Sequence, residues 1–252
     1  MNRRERITRC YFHQETDRPA VYSRTGFPAD DPTYDRLKAL LETQTELKAR
    51  WSGVRSDPSD PIEVSFEPYS EDFQRRIEIL HTPGGDLRRS SFVSLKGLPG
   101  LHETFFVNSA EDAERFLSLP IPRPTGDASS FFAADAAVGD RGIVDVPIGM
   151  NPGGFVAELC GSQNFAMLSV TDRDVLHRLC ERQMTLLLRR VKFLLDRGVG
   201  PFFSMLGEEY IVPPLHGMQD FSDFNTRYDK PILDLIHDAG GRVHIHSHGS
   251  IR

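Results

Sequence analysis

The sequence predicts an α/β fold built on a parallel β-sheet. Apolar runs typical of strands alternate along the chain with helical patterns. This order is typical of parallel strands joined by right-handed crossovers. We predict five strands for the sheet, at residues 19–24, 61–66, 142–148, 200–206 and 242–248. Five strands fit an open doubly wound sheet, whereas a barrel of eight strand–helix units would need three more units.

In the first half of the chain, apolar spacing predicts two helices and a hairpin. Ile7, Cys10 and Tyr11 share one side of a short helix in the opening segment NRRERITRCYFHQE. Leucines recur at helical spacing over residues 33–50, which predicts a second helix. Two alternating runs flank the turn sequence TPGGD, so we expect a β-hairpin over residues 72–96.

The second half of the chain alternates more regularly between strands and helices. The strand GIVDVPIG leads through NPGG into a helix that we expect to reach about Leu168. Thr171 begins a capping-box pattern, which predicts the start of a long helix that ends at Gly198. Residues 222–239 predict a further helix before the last strand, RVHIHSH.

Composition excludes several classes of protein. The 252 residues are 39% hydrophobic and 26% charged, which is ordinary for a globular chain. A net charge of −6 argues against binding nucleic acid or an acidic membrane. No apolar run approaches the roughly 20 residues that span a bilayer, and the charged N-terminus is unlike a secretory signal. The three cysteines are scattered, which predicts a reduced, cytoplasmic protein.

The last predicted strand carries the strongest chemical pattern. His244, His246 and His248 occupy alternate positions, so their imidazoles share one face of the strand. Imidazoles two residues apart can approach one Zn²⁺ from the same side, although a zinc site needs at least one more protein ligand. The alternative is an edge strand whose polar face meets water.

Other candidate site residues follow the carboxyl ends of the predicted strands. Glu208 and Glu209 are candidates for a catalytic acid or base, or for a further metal ligand. Asn151 and Tyr210 are candidates for binding the substrate, and Arg24 can hold a carboxylate through two hydrogen bonds. Each also has a plain structural interpretation, as a solvated loop charge, a turn residue, a packed ring or a surface arginine.

Taken together, these segments resemble the uroporphyrinogen decarboxylase superfamily. The likeness runs along nearly the whole chain, through NRRERITRCYFHQETDRPAVY, ELCGSQNFAMLSVTDRDVLHRLCE and YDKPILDLIHDAGGRVHIHSHG. The hairpin RRIEILHTPGGDLRRSSF and the segment FVNSAEDAERFL are typical of its methyltransferase-like branch. The resemblance implies one domain over residues 1–252, a (β/α)8 TIM-type barrel truncated after about five strands. The open edges of such a sheet favour pairing with a second copy or with a partner chain.

The resemblance also implies a chemistry. Corrinoid-linked methyltransferases of this superfamily hold zinc with a His-x-Cys pair and a distant cysteine. Here the pair falls on His246 and His248, and the distant ligand would lie beyond Arg252. The implied activity is a zinc-assisted methyl transfer involving a corrinoid, carried by a corrinoid protein, or a methoxylated substrate. Imidazole ligands leave zinc more positive than thiolates do, which favours activation of a thiol, water or ether oxygen.

Two alternatives to methyl transfer stay open. The true decarboxylases carry two arginines after the first strand, which grip the carboxylates of a porphyrinogen. This chain keeps Arg24, whereas Pro28 stands in the place of the second arginine. Cofactor-free porphyrinogen decarboxylation is therefore the second hypothesis, and an inactive incomplete barrel is the third.

Overall fold

A computed structural model describes residues 1–22, 30–57 and 62–248 of the chain. Ten strands lie in these ranges: β1 (Leu47–Arg50), β2 (Arg55–Asp57), β3 (Ile62–Pro68), β4 (Phe73–Leu80), β5 (Leu87–Ser94), β6 (Leu101–Thr104), β7 (Arg123–Thr125), β8 (Gly142–Met150), β9 (Phe202–Leu206) and β10 (Arg242–His246). They form a parallel sheet, an antiparallel sheet and a two-stranded ribbon of β2 and β7. The predicted α/β class with a parallel sheet is confirmed.

The same ranges contain nine α-helices. They are α1 (Arg3–Tyr11), α2 (Asp35–Gln44), α3 (Ala110–Leu117), α4 (Ser129–Val138), α5 (Pro152–Cys160), α6 (Ser162–Thr171), α7 (Arg173–Leu195), α8 (Met218–Asp220) and α9 (Arg227–Asp238). A π-helical turn, Phe221–Thr226, joins α8 to α9. None of the described helices has both the length and the apolar character that crossing a bilayer requires.

The parallel sheet has the strand order β1-β8-β9-β10, so its four strands follow one another across the sheet in the same order as along the chain. One face of the sheet carries apolar side chains that pack against helices. Val144, Val146 and Phe203 lie on this face, in one core with Leu187 of α7 and Ile232 of α9. Because strand side chains alternate between faces, the residues between these apolar positions point to the opposite side of the sheet.

That opposite face is covered only in part. Ile7 of α1 packs with Ile143 and Phe202 at the amino ends of the central strands. Farther along the same strands, this face carries the polar side chains of Asp145 and Ser204 together with Pro147 and Leu206. Among the described residues, helix α1 therefore covers one end of the face, and a cavity opens at the other.

The prediction that residues 61–66 belong to the parallel sheet is wrong. This segment forms β3, which pairs antiparallel with β4. The parallel sheet contains β1 instead, within the region predicted as a helix over residues 33–50, and α2 ends at Gln44. Glu46 explains the difference, because its buried carboxylate accepts hydrogen bonds from Arg6 and Arg18 and holds the chain extended before β1.

The first predicted strand, 19–24, is described only as far as Tyr22. Within that part, a single parallel bridge joins Tyr22 to Glu46 beside β1. Of the five strands predicted for the parallel sheet, three are present as β8, β9 and β10.

The antiparallel sheet has the order β3-β4-β5-β6. Its centre is the hairpin of β4 and β5, which the turn sequence predicts over residues 72–96. Gly85 adopts φ +116° in that turn, a backbone conformation that favours glycine. Leu80 and Leu87 lie side by side at the turn end of the hairpin and fasten the sheet to the core that contains α3 and α5.

The helices after β8 differ from the prediction. The helix expected to reach about Leu168 is broken at Gly161, which has φ +74°. Thr171 is the last residue of α6 and does not cap the long helix, because α7 follows Asp172 directly. A sharp turn at glycine therefore divides a pattern that reads as one continuous helix.

Candidate active site

A cavity of about 480 Å³ opens on the polar face of the parallel sheet. Side chains from all four strands line it, including Lys48 of β1, Asp145 of β8, Ser204 of β9 and His244 of β10. Since α1 covers the amino ends of the strands, the cavity lies toward their carboxyl ends. Parallel α/β folds place their ligand sites at this end of the sheet.

Lys48 is a largely buried cation in the wall of the cavity. Its side chain is only 9% exposed, and its Nζ atom lies 3.5 Å from Asp145 Oδ1. The Nδ1 atom of His244 is 3.1 Å from the same Nζ, and the Tyr22 ring centroid is 5.1 Å from it. Burial lowers the pKa of Lys48, and the charge of Asp145 opposes that shift.

Asp145 and His244 extend this contact into a chain of polar groups. Ser204 Oγ donates to Asp145 Oδ2 at 2.6 Å. On the other side of Lys48, His244 Nε2 lies 3.4 Å from Tyr22 Oη. Burial, and then the Lys48 charge, lower the pKa of His244. Both ring nitrogens of His244 thus face partners within the protein, and neither faces the other two histidines of the strand.

His246, the last residue of β10, lines the same cavity and forms a pair with His248. Their Nε2 atoms are 2.8 Å apart, their rings lie nearly perpendicular, and both side chains are exposed. Two nitrogen ligands at 2.0–2.1 Å from a tetrahedral zinc ion lie about 3.3 Å apart, so a small opening of the pair would fit the ion. Within residues 1–22, 30–57 and 62–248, no three His, Cys, Asp or Glu side chains come together as metal ligands. The pair therefore offers two nitrogen atoms at a spacing close to that of zinc ligands, and a zinc site would need at least one further ligand.

Asn151 is fully buried and makes three internal hydrogen bonds. Its Oδ1 atom accepts from the backbone N–H of Gly154 and caps α5, a common use of asparagine. Its Nδ2 atom donates to Asn225 Oδ1 at 3.0 Å and to Asp229 Oδ2 at 3.1 Å. These bonds fasten α5 to the π-helical turn and α9, so the predicted substrate-binding residue fills a structural position.

Glu208 lies in a 3₁₀ turn after β9, where Gly207 adopts φ +117°. The Glu208 side chain is buried and has no hydrogen-bond partner in the described part of the chain. Burial raises its pKa to about 7. Burial also raises the pKa of Asp229 to about 8, and the neighbouring charge of Glu208 adds to that shift. Two carboxyl groups thus share a buried region, and neither forms an ion pair with another described residue.

The remaining predicted residues have other positions. Glu209 follows Glu208 and has one buried oxygen without a partner among the described residues. Tyr210 packs partly buried against the core that contains α5, and burial raises its pKa. Arg24 lies outside the described residues.

Sequence reasoning missed Lys48, Asp145 and Ser204. A signal for Asp145 was present, because a single carboxylate interrupts the apolar strand GIVDVPIG, and buried charges need partners. No sequence pattern indicated Lys48, because its short strand lies within the region whose leucine spacing predicts a helix. Lys48, Asp145 and Ser204 lie within the strands, whereas the predicted residues Asn151, Glu208 and Glu209 follow the strand ends.

Comparison of the chain with protein-family models, with curated proteins and with solved structures gave no match. A largely buried amine, a carboxylate, a hydroxyl and an imidazole meet in the cavity, and the exposed imidazoles of His246 and His248 lie at the carboxyl end of one lining strand. Such a set can bind a polar substrate, move protons and hold part of a metal site.

Proposed function

We propose that the chain forms part of a barrel enzyme of the uroporphyrinogen decarboxylase type, with the cavity as its reaction site. The order of the parallel strands supports this, because the four strands follow one another across the sheet in the same order as along the chain. A doubly wound sheet reverses its strand order and carries helices on both faces. Here α4, α7 and α9 pack on one face, as the outer helices of a barrel do. The polar face then corresponds to the interior of the barrel.

The proposed activity is methyl transfer assisted by zinc, with a corrinoid as co-substrate. The observation that carries it is the 2.8 Å separation of the His246 and His248 Nε2 atoms at the carboxyl end of β10. Bound zinc supplies a Lewis acid that lowers the pKa of a thiol or water. His246 and His248 would hold the ion, and a further ligand would complete the site.

The cavity residues have separate tasks in this proposal. Lys48 and Asp145 are an ion pair in a partly dry site, so they can orient polar groups of a substrate. His244 lies between Tyr22 and Lys48, where its imidazole can pass a proton. Glu208 and Asn151 are not part of the proposed chemistry, because their neighbours are interior groups.

The test is a methyl-transfer assay with the zinc-loaded chain, methylcobalamin and a small thiol. Loss of the methylcobalamin absorbance and formation of the thioether are measured together. We expect turnover that falls ~100-fold or more in His246→Ala and His248→Ala, since each removes a metal ligand. His237→Ala, an exposed histidine at the end of α9, is the matched control and keeps full activity. Turnover that is unchanged in both ligand variants would exclude the zinc mechanism.

A second candidate function is decarboxylation of a porphyrinogen. It is favoured by cationic side chains in the cavity, where Lys48 and Arg50 stand on the same strand and can hold carboxylates. This reaction needs no metal. Release of CO₂ from uroporphyrinogen in the presence of a chelator would support it, and loss of that release in Arg50→Gln would place the substrate in this cavity.

A further inference from the structure

Burial sets Lys48 apart from the other lysines of the chain. Its side chain is 9% exposed, whereas those of Lys38, Lys96, Lys192 and Lys230 are 30%, 63%, 69% and 69% exposed. Lysine is seldom buried unless it is paired or used. The pairing of Lys48 is incomplete, because its distance of 3.5 Å from Asp145 is long for a charged hydrogen bond.

The surroundings of the Lys48 amine hold it in a fixed position at the cavity wall. His244 Nδ1 lies 3.1 Å from Nζ, and Asp145 Oδ1 lies 3.5 Å from it. The carboxylate of Asp145 also accepts a shorter hydrogen bond, 2.6 Å, from the Ser204 hydroxyl, so it interacts with two groups and not with the Lys48 ammonium alone. The Tyr11 and Tyr22 rings, with centroids 5.7 and 5.1 Å from Nζ, restrict water around the amine.

We infer that Lys48 is a nucleophilic amine that forms an imine with an aldehyde or ketone bound in the cavity. The Nζ lone pair attacks the carbonyl carbon, and the carbonyl π electrons move to the oxygen, which takes up a proton. The resulting carbinolamine loses its hydroxyl as water while nitrogen loses its remaining proton. One amine and one carbonyl thus give one imine and one water, and no oxidant or metal is needed.

Arg50 indicates which carbonyl compounds fit. Its guanidinium lines the same cavity, two residues along β1 from Lys48. Within the described part of the chain it has no hydrogen bond or ion pair, so it is available for an anionic group. The ligand class is therefore a small carbonyl compound that carries a carboxylate. Burial supports this use of Lys48, since it lowers the pKa of the amine.

Reductive trapping tests this inference without zinc and without any assumption about methyl transfer. The full chain is incubated at pH 7 with glyoxylate, sodium cyanoborohydride and a chelator, and peptide mass spectrometry then locates each carboxymethyl group. We expect Lys48 to be modified at least ~10-fold faster than any of the other four lysines, because only its amine is activated by burial.

The four exposed lysines provide the control within the same molecule. Modification that follows exposure, with Lys192 and Lys230 first and Lys48 unmodified, would overturn the inference.

Discussion

Two polar clusters of the protein differ in burial and in charge. The cavity cluster consists of Lys48, Asp145, Ser204 and His244, and it borders an open cavity. The interior cluster consists of Asn151, Glu208, Asn225 and Asp229, all of them buried. In the cavity cluster a cation faces a carboxylate, whereas in the interior cluster two carboxyl groups lie together and neither forms an ion pair within the described part of the chain.

The comparison shows how polar groups can serve either chemistry or structure. In the interior cluster, burial raises the pKa of both carboxyl groups and so favours their neutral forms, and Asp229 accepts a hydrogen bond from Asn151. The cavity cluster borders an open cavity, so a ligand can enter it. We therefore expect changes in the interior cluster to act on stability and changes in the cavity cluster to act on binding.

The largest expected effect on stability is that of Asn151→Ala. It removes the cap of α5 and the two donors to Asn225 and Asp229, which leaves buried groups without partners. We expect a loss of about 2–4 kcal/mol in the free energy of unfolding, measured with urea. The matched control is Asn2→Ala, an exposed cap of α1 that should cost about 1 kcal/mol. Equal losses in the two variants would show that the buried bonds of Asn151 contribute nothing.

The next effect concerns pH. Since burial raises the pKa of Asp229 to about 8 and of Glu208 to about 7, the folded chain binds more protons than the unfolded chain between about pH 4 and these values. The free energy of unfolding should therefore fall as the pH rises from about 4 to 8, by up to about 1.4 kcal/mol per pH unit for each group.

Asp229→Asn tests the direction of this dependence. The amide cannot ionise, so the free energy of unfolding should fall less steeply between pH 5 and 8 than it does in the wild type. At pH 8 the variant should be more stable than the wild type. Chemical unfolding at several pH values measures both. Asp238→Asn, at the exposed end of α9, is the control and should keep the wild-type slope. A slope of the opposite sign in the wild type would mean that the interior carboxyl groups are charged.

The smallest expected effect is that of Ser204→Ala in the cavity cluster. It removes the 2.6 Å hydrogen bond to Asp145, but water from the cavity can replace the hydroxyl. We expect a loss of about 0.5–1.5 kcal/mol in the free energy of unfolding. A loss as large as that of Asn151→Ala would remove the distinction between the two clusters.

The two clusters also show how far sequence reasoning reaches. Long helical patterns, the hairpin and the alternation of His244 and His246 are local, so the sequence predicts them. The strand β1 is only four residues long, and it depends on Glu46 meeting Arg6, a contact between distant parts of the chain. The burial of Glu208 depends on the turn at Gly207 and on the interior neighbours of Asn151. No local sequence pattern reveals either of them.

Metal binding by His246 and His248 can be measured by titration with Co²⁺, which replaces zinc and absorbs visible light when bound to nitrogen ligands. We expect one bound ion per chain, lost in His246→Ala and in His248→Ala. His244→Gln and Glu208→Gln should keep it, because those side chains face Lys48 and the protein interior. Loss of the ion in His244→Gln or Glu208→Gln, with full binding in His246→Ala, would contradict the proposed site.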